Sequence, residues 1–171
     1  MADFFIAYNW MMDNEDEARA CAIVPDAPPG AHAISGINSA AYPSEYATIA
    51  AIPQNQRQMS VQQFYQDHFW NQWYARLNYD DVAKRVFDAA VNMGPGTAVK
   101  LLQQACGSAV DGAWGPITVS VANSFASPVL VVAFQKTRLG HYQDIVANNP
   151  SLARYLGTAE HPGPWWIRAT A

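Results

Sequence analysis

Asp13, Asn14, Glu15, Asp16 and Glu17 crowd four carboxylates into five positions, just where an apolar stripe of Phe4, Phe5, Tyr8, Met11 and Met12 runs out. That stripe has the 3–4 residue spacing of a helix, so the acids fall at its C-terminal end. A helix C-terminus is the negative end of the macrodipole, and the acids also repel one another. Both effects favour the neutral form and push one carboxyl upward in pKa. A glutamate that keeps its proton near neutral pH is what a general acid in glycoside hydrolysis requires. On their own the same residues more often mark a solvated, fraying helix end.

Other side chains could join such chemistry. Asp26 is the only carboxylate in the segment that follows, the natural partner for Glu15 if that segment folds back, and otherwise a turn-forming aspartate. His32 could assist catalysis or bind sugar. Asp88 and Asn92 lie four apart on one helical face, a spacing that more often braces neighbouring loops through hydrogen bonds than does chemistry. Asp111-Gly112-Ala113-Trp114-Gly115-Pro116 is a tight turn feeding a helix start, and its Trp114 could serve as a sugar platform.

The elements that must position these residues are mostly helical. Asp3 can cap the first helix. From Cys21 to Pro43, Pro25, Pro28, Pro29, Gly30 and Gly36 interrupt any helical pattern, predicting a long loop or an irregular hairpin. Ser44 opens a short helix up to Ile52. Ser60 with Gln63 forms a capping-box pattern for a helix through about Tyr74, whose aromatics are too many for one face and predict a central place in the core. Asp80 or Asp81 caps the next helix, and Gly94-Pro95-Gly96 separates it from one ended by Gly107. Pro116 and Pro128 sit where helix-opening prolines would. A buried helix runs from Val129 toward Val146, and two short elements follow, at Ser151–Leu156 and Pro164–Ala169. The pattern predicts an all-α helical domain with a small irregular β-hairpin or loop insert near the N-terminus.

Composition narrows the function. The 171 residues are 50% hydrophobic and only 14% charged, too rich in core formers for a disordered chain. A net charge of −4 with no basic block argues against nucleic acid, whose binders carry a cationic stripe. It also gives no long-range steering toward an anionic polymer, so binding must rest on stacking and hydrogen bonds. No apolar run approaches the roughly 20 residues that span a bilayer, so no membrane insertion is expected. Met1 to Ala20 lacks the basic start of a Sec signal peptide, and delivery by a holin or a dedicated secretion system is expected instead. Cys21 and Cys106 lie far apart and outside any metal-ligand spacing, and read as buried thiols. Neither metal nor organic cofactor is expected, and the chain is expected to be a monomer.

Taken in order, these segments resemble the glycoside hydrolase family 108 N-acetylmuramidases, the secretion-activator or endolysin type with a C-terminal predicted peptidoglycan-binding region. The likeness is carried by Phe64-Tyr65 through Phe69-Trp70, by Phe87-Asp88-Ala89-Ala90-Val91-Asn92-Met93-Gly94, and by Leu102-Gln103. Asp111-Gly112 with Gly115-Pro116 and Thr118, Arg138 and Tyr142, and Trp165 with Arg168 continue it. Asp16 and Glu17 stand where the family has two glycines after its glutamate, and Asp26 and Ser35 are the nearest counterparts of its loop aspartate and threonine. The resemblance implies an all-α, lysozyme-like helical domain, with a lysozyme-like muramidase lobe over 1–93 and a helical predicted peptidoglycan-binding lobe over 94–171 sharing the same core. It implies cleavage of the β-1,4 link between N-acetylmuramic acid and N-acetylglucosamine in peptidoglycan glycan strands. Glu15 and Asp26 would then be catalytic, and His32, Ser35, Trp70, Asn92 and Trp114 would bind substrate. Because the flanking signatures are replaced, a peptidoglycan-binding or partner-docking module of the same fold is the alternative reading.

Overall fold

A computed structural model describes all residues, 1–171. The chain divides into two compact units, one formed by Asp3–Asn71 and the other by Gln72–Ala171 with Met1–Ala2. These units are divided by compactness at Asn71–Gln72, whereas the lobes implied by the resemblance are divided at Met93–Gly94.

The first unit opens with α1 (Phe4–Glu15), and Asp3 caps it: its Oδ1 accepts from Phe5 N at 2.7 Å and Ile6 N at 3.3 Å. Phe4, Ala7, Tyr8, Met11 and Met12 are buried, a stripe on one face that repeats every three or four residues. The proline- and glycine-rich insert forms a three-stranded antiparallel sheet in the order β1-β2-β3, from β1 (Ile23–Asp26), β2 (Ala31–Ile34) and β3 (Ile37–Asn38). Ile23 pairs with Ile34 and Ile34 with Ile37, so Ile34 anchors both ladders and is fully buried.

Helix α2 (Pro43–Ala50) starts one residue earlier than predicted, because Pro43 supplies the fixed φ of a first helical position rather than a stop. A 3₁₀ turn at Gln54–Gln56 runs directly into α3 (Gln58–Phe69). The capping-box start at Ser60 is therefore overridden: the turn delivers Arg57 in helical conformation, and Arg57, not Ser60, precedes the helix. The helix also ends before Tyr74. Trp70 leaves it in an extended conformation, with φ −84° and ψ 135°. That break resolves the surplus of aromatics, since Phe64, Tyr65 and Phe69 share the buried face of α3 while Trp73 and Tyr74 fall on α4 (Gln72–Ala75).

The second unit is helical throughout: α4, α5 (Asp80–Met93), α6 (Pro95–Cys106), α7 (Pro116–Asn123), α8 (Ser127–Asn148), α9 (Ala153–Leu156) and α10 (Pro164–Thr170). Asp80 and Asp81 occupy the first turn of α5, where the positive end of the dipole favours them, and Tyr79 takes the capping position. Helices α5, α6 and α8 pack on one another through Val86, Phe87, Ala90, Leu101, Leu102, Leu130 and Phe134. No single helix is long and apolar enough to cross a membrane. Cys21 and Cys106 are buried thiols.

Candidate active site at the end of the first helix

The acidic cluster is built rather than frayed. Glu15 is the last residue of α1, and Asp16 caps the helix, its N–H donating to Met12 O at 2.8 Å. The chain then turns back on the Asp16 carboxylate, which accepts from Ala20 N at 3.0 Å, Cys21 N at 2.8 Å and the Ser35 hydroxyl at 2.6 Å. Arg19 reinforces the turn by donating to Asp16 O at 2.9 Å, Asn9 O at 2.8 Å and Asp13 Oδ1 at 2.6 Å. Arg19, Cys21 and Ser35 hold left-handed φ values of 53°, 48° and 48°. Such conformations cost about 1 kcal/mol or more for a residue with a side chain, and they persist only where surrounding contacts impose them.

Partial burial pushes the Asp16 carboxyl up. The Ser35 hydroxyl, the Cys21 and Ala20 N–H groups and the Arg19 charge outweigh it and hold Asp16 below the usual carboxylate range. Crowding alone predicts a rise within this cluster. At Asp16 the direction is reversed, because donors from two separate loops converge on it.

The same turn sets the wall of a groove of about 190 Å³ lined by Glu15, Asp16, Ala20, Ala22, Val24, Ser35 and Gly36. Ser35 is buried, and its carbonyl accepts from the Tyr65 hydroxyl at 2.7 Å. Gly36 follows with φ +82°, and a Cβ there would lie 2.5 Å from Glu15 Oε2 and 2.7 Å from the Tyr65 oxygen. The glutamate carboxylate and the tyrosine hydroxyl therefore crowd the space over one glycine, which no side chain could share. Arg57 fixes the far side of this loop. Buried itself, it donates to Ile52 O at 2.9 Å, Ala50 O at 3.0 Å and Cys21 O at 2.9 Å.

Of the residues singled out from sequence, the structure brings Glu15 and Ser35 together at this groove. Asp26 is not among its lining residues: it ends β1, exposed, with its carboxylate accepting from Ala27 N at 2.8 Å and Asn38 Nδ2 at 2.7 Å. The turn-forming role wins there because Asn38, across the sheet, is within reach. His32 is exposed on β2, and its backbone N–H donates to Ser39 Oγ at 3.0 Å. Trp70 is half-buried, edge-on to Phe4 at 5.6 Å between ring centres.

Asn92 and Trp114 belong to the second unit. Asn92 Oδ1 accepts a short hydrogen bond from the Tyr142 hydroxyl, and Trp114 packs against the buried ring of Tyr74 at 5.0 Å. The turn around Trp114 is held by Gln103, whose side-chain amide donates to Asp111 Oδ1 at 2.7 Å, Ala113 O at 3.1 Å and Thr118 Oγ1 at 3.1 Å. Its oxygen accepts from Gly112 N at 2.9 Å. Asp88 is completely buried between Arg138 Nη2 at 2.6 Å and Arg168 Nη2 at 2.7 Å. The motifs at 88, 103, 111–118, 138 and 168 thus have structural employment within their own unit.

The sequence reading missed Asp16, Gly36, Tyr65 and Arg57 as determinants of the groove. Asp16 stood in the acidic cluster, but its partner Ser35 lies 19 residues on, and no local pattern links them. No group of three or more His, Cys, Asp or Glu side chains could hold a metal ion.

The chain thus has a helical, lysozyme-like fold, with a small antiparallel sheet beside the glutamate that ends its first helix. The family model described as glycosyl hydrolase 108 matches residues 20–94. The solved structure of Brucella abortus SagA is similar in fold, with a TM-score of 0.63 and 21% identity. The match covers 86% of this chain and 87% of that one. No curated protein matches the chain. The matched family stretch contains Ser35, Gly36, Tyr65 and Asp88, and it begins five residues after Glu15.

Proposed function

We propose that this protein is a peptidoglycan hydrolase of the N-acetylmuramidase type, cleaving the β-1,4 link between N-acetylmuramic acid and N-acetylglucosamine with Glu15 as general acid. The observation that carries the reading is the placement of the Glu15 carboxylate over Gly36 in an open groove, at the end of a helix whose continuation is blocked by the Asp16 cap. A glycosidic oxygen entering that groove would take its proton from Glu15 as the bond to the anomeric carbon breaks. Asp16 is held ionised by its donors, and both of its oxygens already accept hydrogen bonds. It serves to position Glu15 and the Ser35–Gly36 corner. Water would complete the displacement at the anomeric carbon, since Asp26, the other carboxylate considered for that role, is turned to Asn38.

The decisive experiment is clearing of purified sacculi, with muropeptide release followed by chromatography. The wild-type chain is expected to release muropeptides ending in a reducing N-acetylmuramic acid, and Glu15→Gln to lose about 10²–10⁴ in rate with its fold intact. The position of Asp26 favours a second reading, a glycan-binding module that retains the groove without turnover. Retention on sacculi with no muropeptide release by the wild-type chain would establish that reading and overturn the first.

A further inference from the structure

The groove at Glu15 has two walls of opposite character. One is the Ser35–Gly36 corner, and the other is a run of small apolar side chains, Ala20, Ala22 and Val24. Ala22 and Val24 stand two residues apart where the chain enters β1, so the alternation of an extended strand turns both the same way. Val24 is 47% exposed and Ala22 half-buried, which leaves both within reach of a ligand. No Lys, Arg or His lines the groove. Arg19 and Arg57 direct their guanidiniums to backbone carbonyls and to Asp13 instead. A neutral group suits this pair of walls better than a charged one.

The spacing of the walls is imposed by the backbone. Arg19, Cys21 and Ser35 are the only residues other than glycine with left-handed φ; the first two flank Ala20 in one wall, and the third stands in the other. Ala20 and Cys21 are locked from three sides. The Asp16 carboxylate accepts from both N–H groups, Gln54 Nε2 donates to Ala20 O at 2.9 Å, and buried Arg57 donates to Cys21 O at 2.9 Å. Strain of this kind survives only where its surroundings over-determine it, and it collects where ligands are clamped. Asp16, the centre of the lock, stands where the family resemblance has a glycine, so the wall is particular to this chain. At about 190 Å³ the groove is smaller than the roughly 300–1,000 Å³ that encloses a whole small molecule, and it takes one substituent of a larger ligand.

We propose that Ala22 and Val24 are specificity-determining residues, selecting the 2-acetamido group of the sugar bound beside Glu15 and rejecting a free 2-amino group. The planar amide slots between the two walls with its methyl on Ala22 and Val24. An ammonium group there would lose its hydration against apolar side chains without gaining a partner. That the ligand is an amino-sugar chain rests on the hydrolase reading above; the fit of a neutral, methyl-bearing group rests on the walls.

The test uses the ¹⁵N-labelled full chain carrying Glu15→Gln, so that turnover does not intervene. It is titrated at about pH 6 with chitotetraose and with its de-N-acetylated counterpart, tetraglucosamine. Chitotetraose is expected to shift the amide signals of Ala22, Val24 and Gly36. Tetraglucosamine should bind at least about tenfold more weakly, from the loss of a buried methyl and the desolvation of a charge. Val24→Thr keeps the shape but exchanges a methyl for a hydroxyl; it should weaken chitotetraose about threefold at unchanged Tm and narrow the ratio between the two sugars. Ala22→Leu should fill the slot and abolish the shifts. Merely structural residues would move Tm and leave the ratio alone. Clearing of sacculi is read separately: its absence, with the preference for chitotetraose intact, overturns the hydrolase reading and supports this one. Equal affinity for the two oligosaccharides, no groove shifts at millimolar chitotetraose, or an unchanged ratio in both variants would overturn the proposal.

Discussion

Two carboxylates illustrate how differently the two units treat charge. Asp88 has no exposed surface and is clasped by two guanidiniums from helices 50 and 80 residues away in sequence. Arg138 is itself buried and also donates to Arg168 O at 3.0 Å. Every bond there holds one helix to another. Glu15 is half-buried, ends its helix, and faces a groove over a residue that has no side chain. Burial with full compensation makes a charge structural. Partial burial beside an opening leaves a carboxyl group able to meet a ligand.

If that contrast is right, breaking the first carboxylate should cost stability and breaking the surroundings of the second should cost activity. The largest effect is expected for Asp88→Ala, which strands two buried or nearly buried guanidiniums and should destabilise the chain by about 3–5 kcal/mol. Denaturant unfolding measures it, and a loss within the range of an exposed substitution would remove Asp88 from its structural role. Gly36→Ala comes next. The added methyl would meet Glu15 Oε2 at 2.5 Å in a left-handed backbone, so about 1–3 kcal/mol of strain is expected. The contrast requires that its sacculus-clearing rate fall further than its Tm alone explains.

Ser35→Ala sharpens the comparison through pH. Asp16 titrates below its ordinary 3.8 in the folded chain, so it contributes stability that is present above that value and is lost as pH falls through the folded pKa. Removing the Ser35 hydroxyl takes away part of that contribution, about 1 kcal/mol at most because solvent screens a carboxylate this exposed. Wild type and variant should therefore differ most in Tm near neutrality and converge as pH falls from 3.8 through the lower pKa of folded Asp16. A gap that widens on acidification would show that Asp16 is not the group involved. The smallest effect is expected at Asp26→Asn: it alters an exposed turn, so stability should move by about 0.5 kcal/mol or less and clearing should stay near wild type. A large loss of activity there would restore Asp26 to the chemistry.

Much of the helical frame was legible because its signals are local. Asp3 bonds to residues two and three positions on, and the α1 stripe is read from spacing alone. The Ser60 capping box misled for the converse reason. A 3₁₀ turn set by Pro53 and closed by Arg57 reaches the helix first, and Ser60 is absorbed into the first turn of that helix. Asp88 was recognisable as a brace from its spacing with Asn92, although neither arginine partner is near it in the chain. The groove was half legible: Glu15 and Ser35 were selected, while Asp26 was chosen as the only carboxylate in the insert and turned out to serve the sheet.

The order of residues by itself settled that the chain is mostly helical, that the insert is not, and that an acid cluster terminates the first helix. These follow from capping, periodicity and the φ limits of proline and glycine, all of which act within a few residues. Which acid faces open space, which is tied down by Ser35, and which is sealed between Arg138 and Arg168 was decided only by tertiary structure. A carboxylate's role depends on the donors and the solvent around it, and chain folding brings those from positions that sequence spacing does not connect.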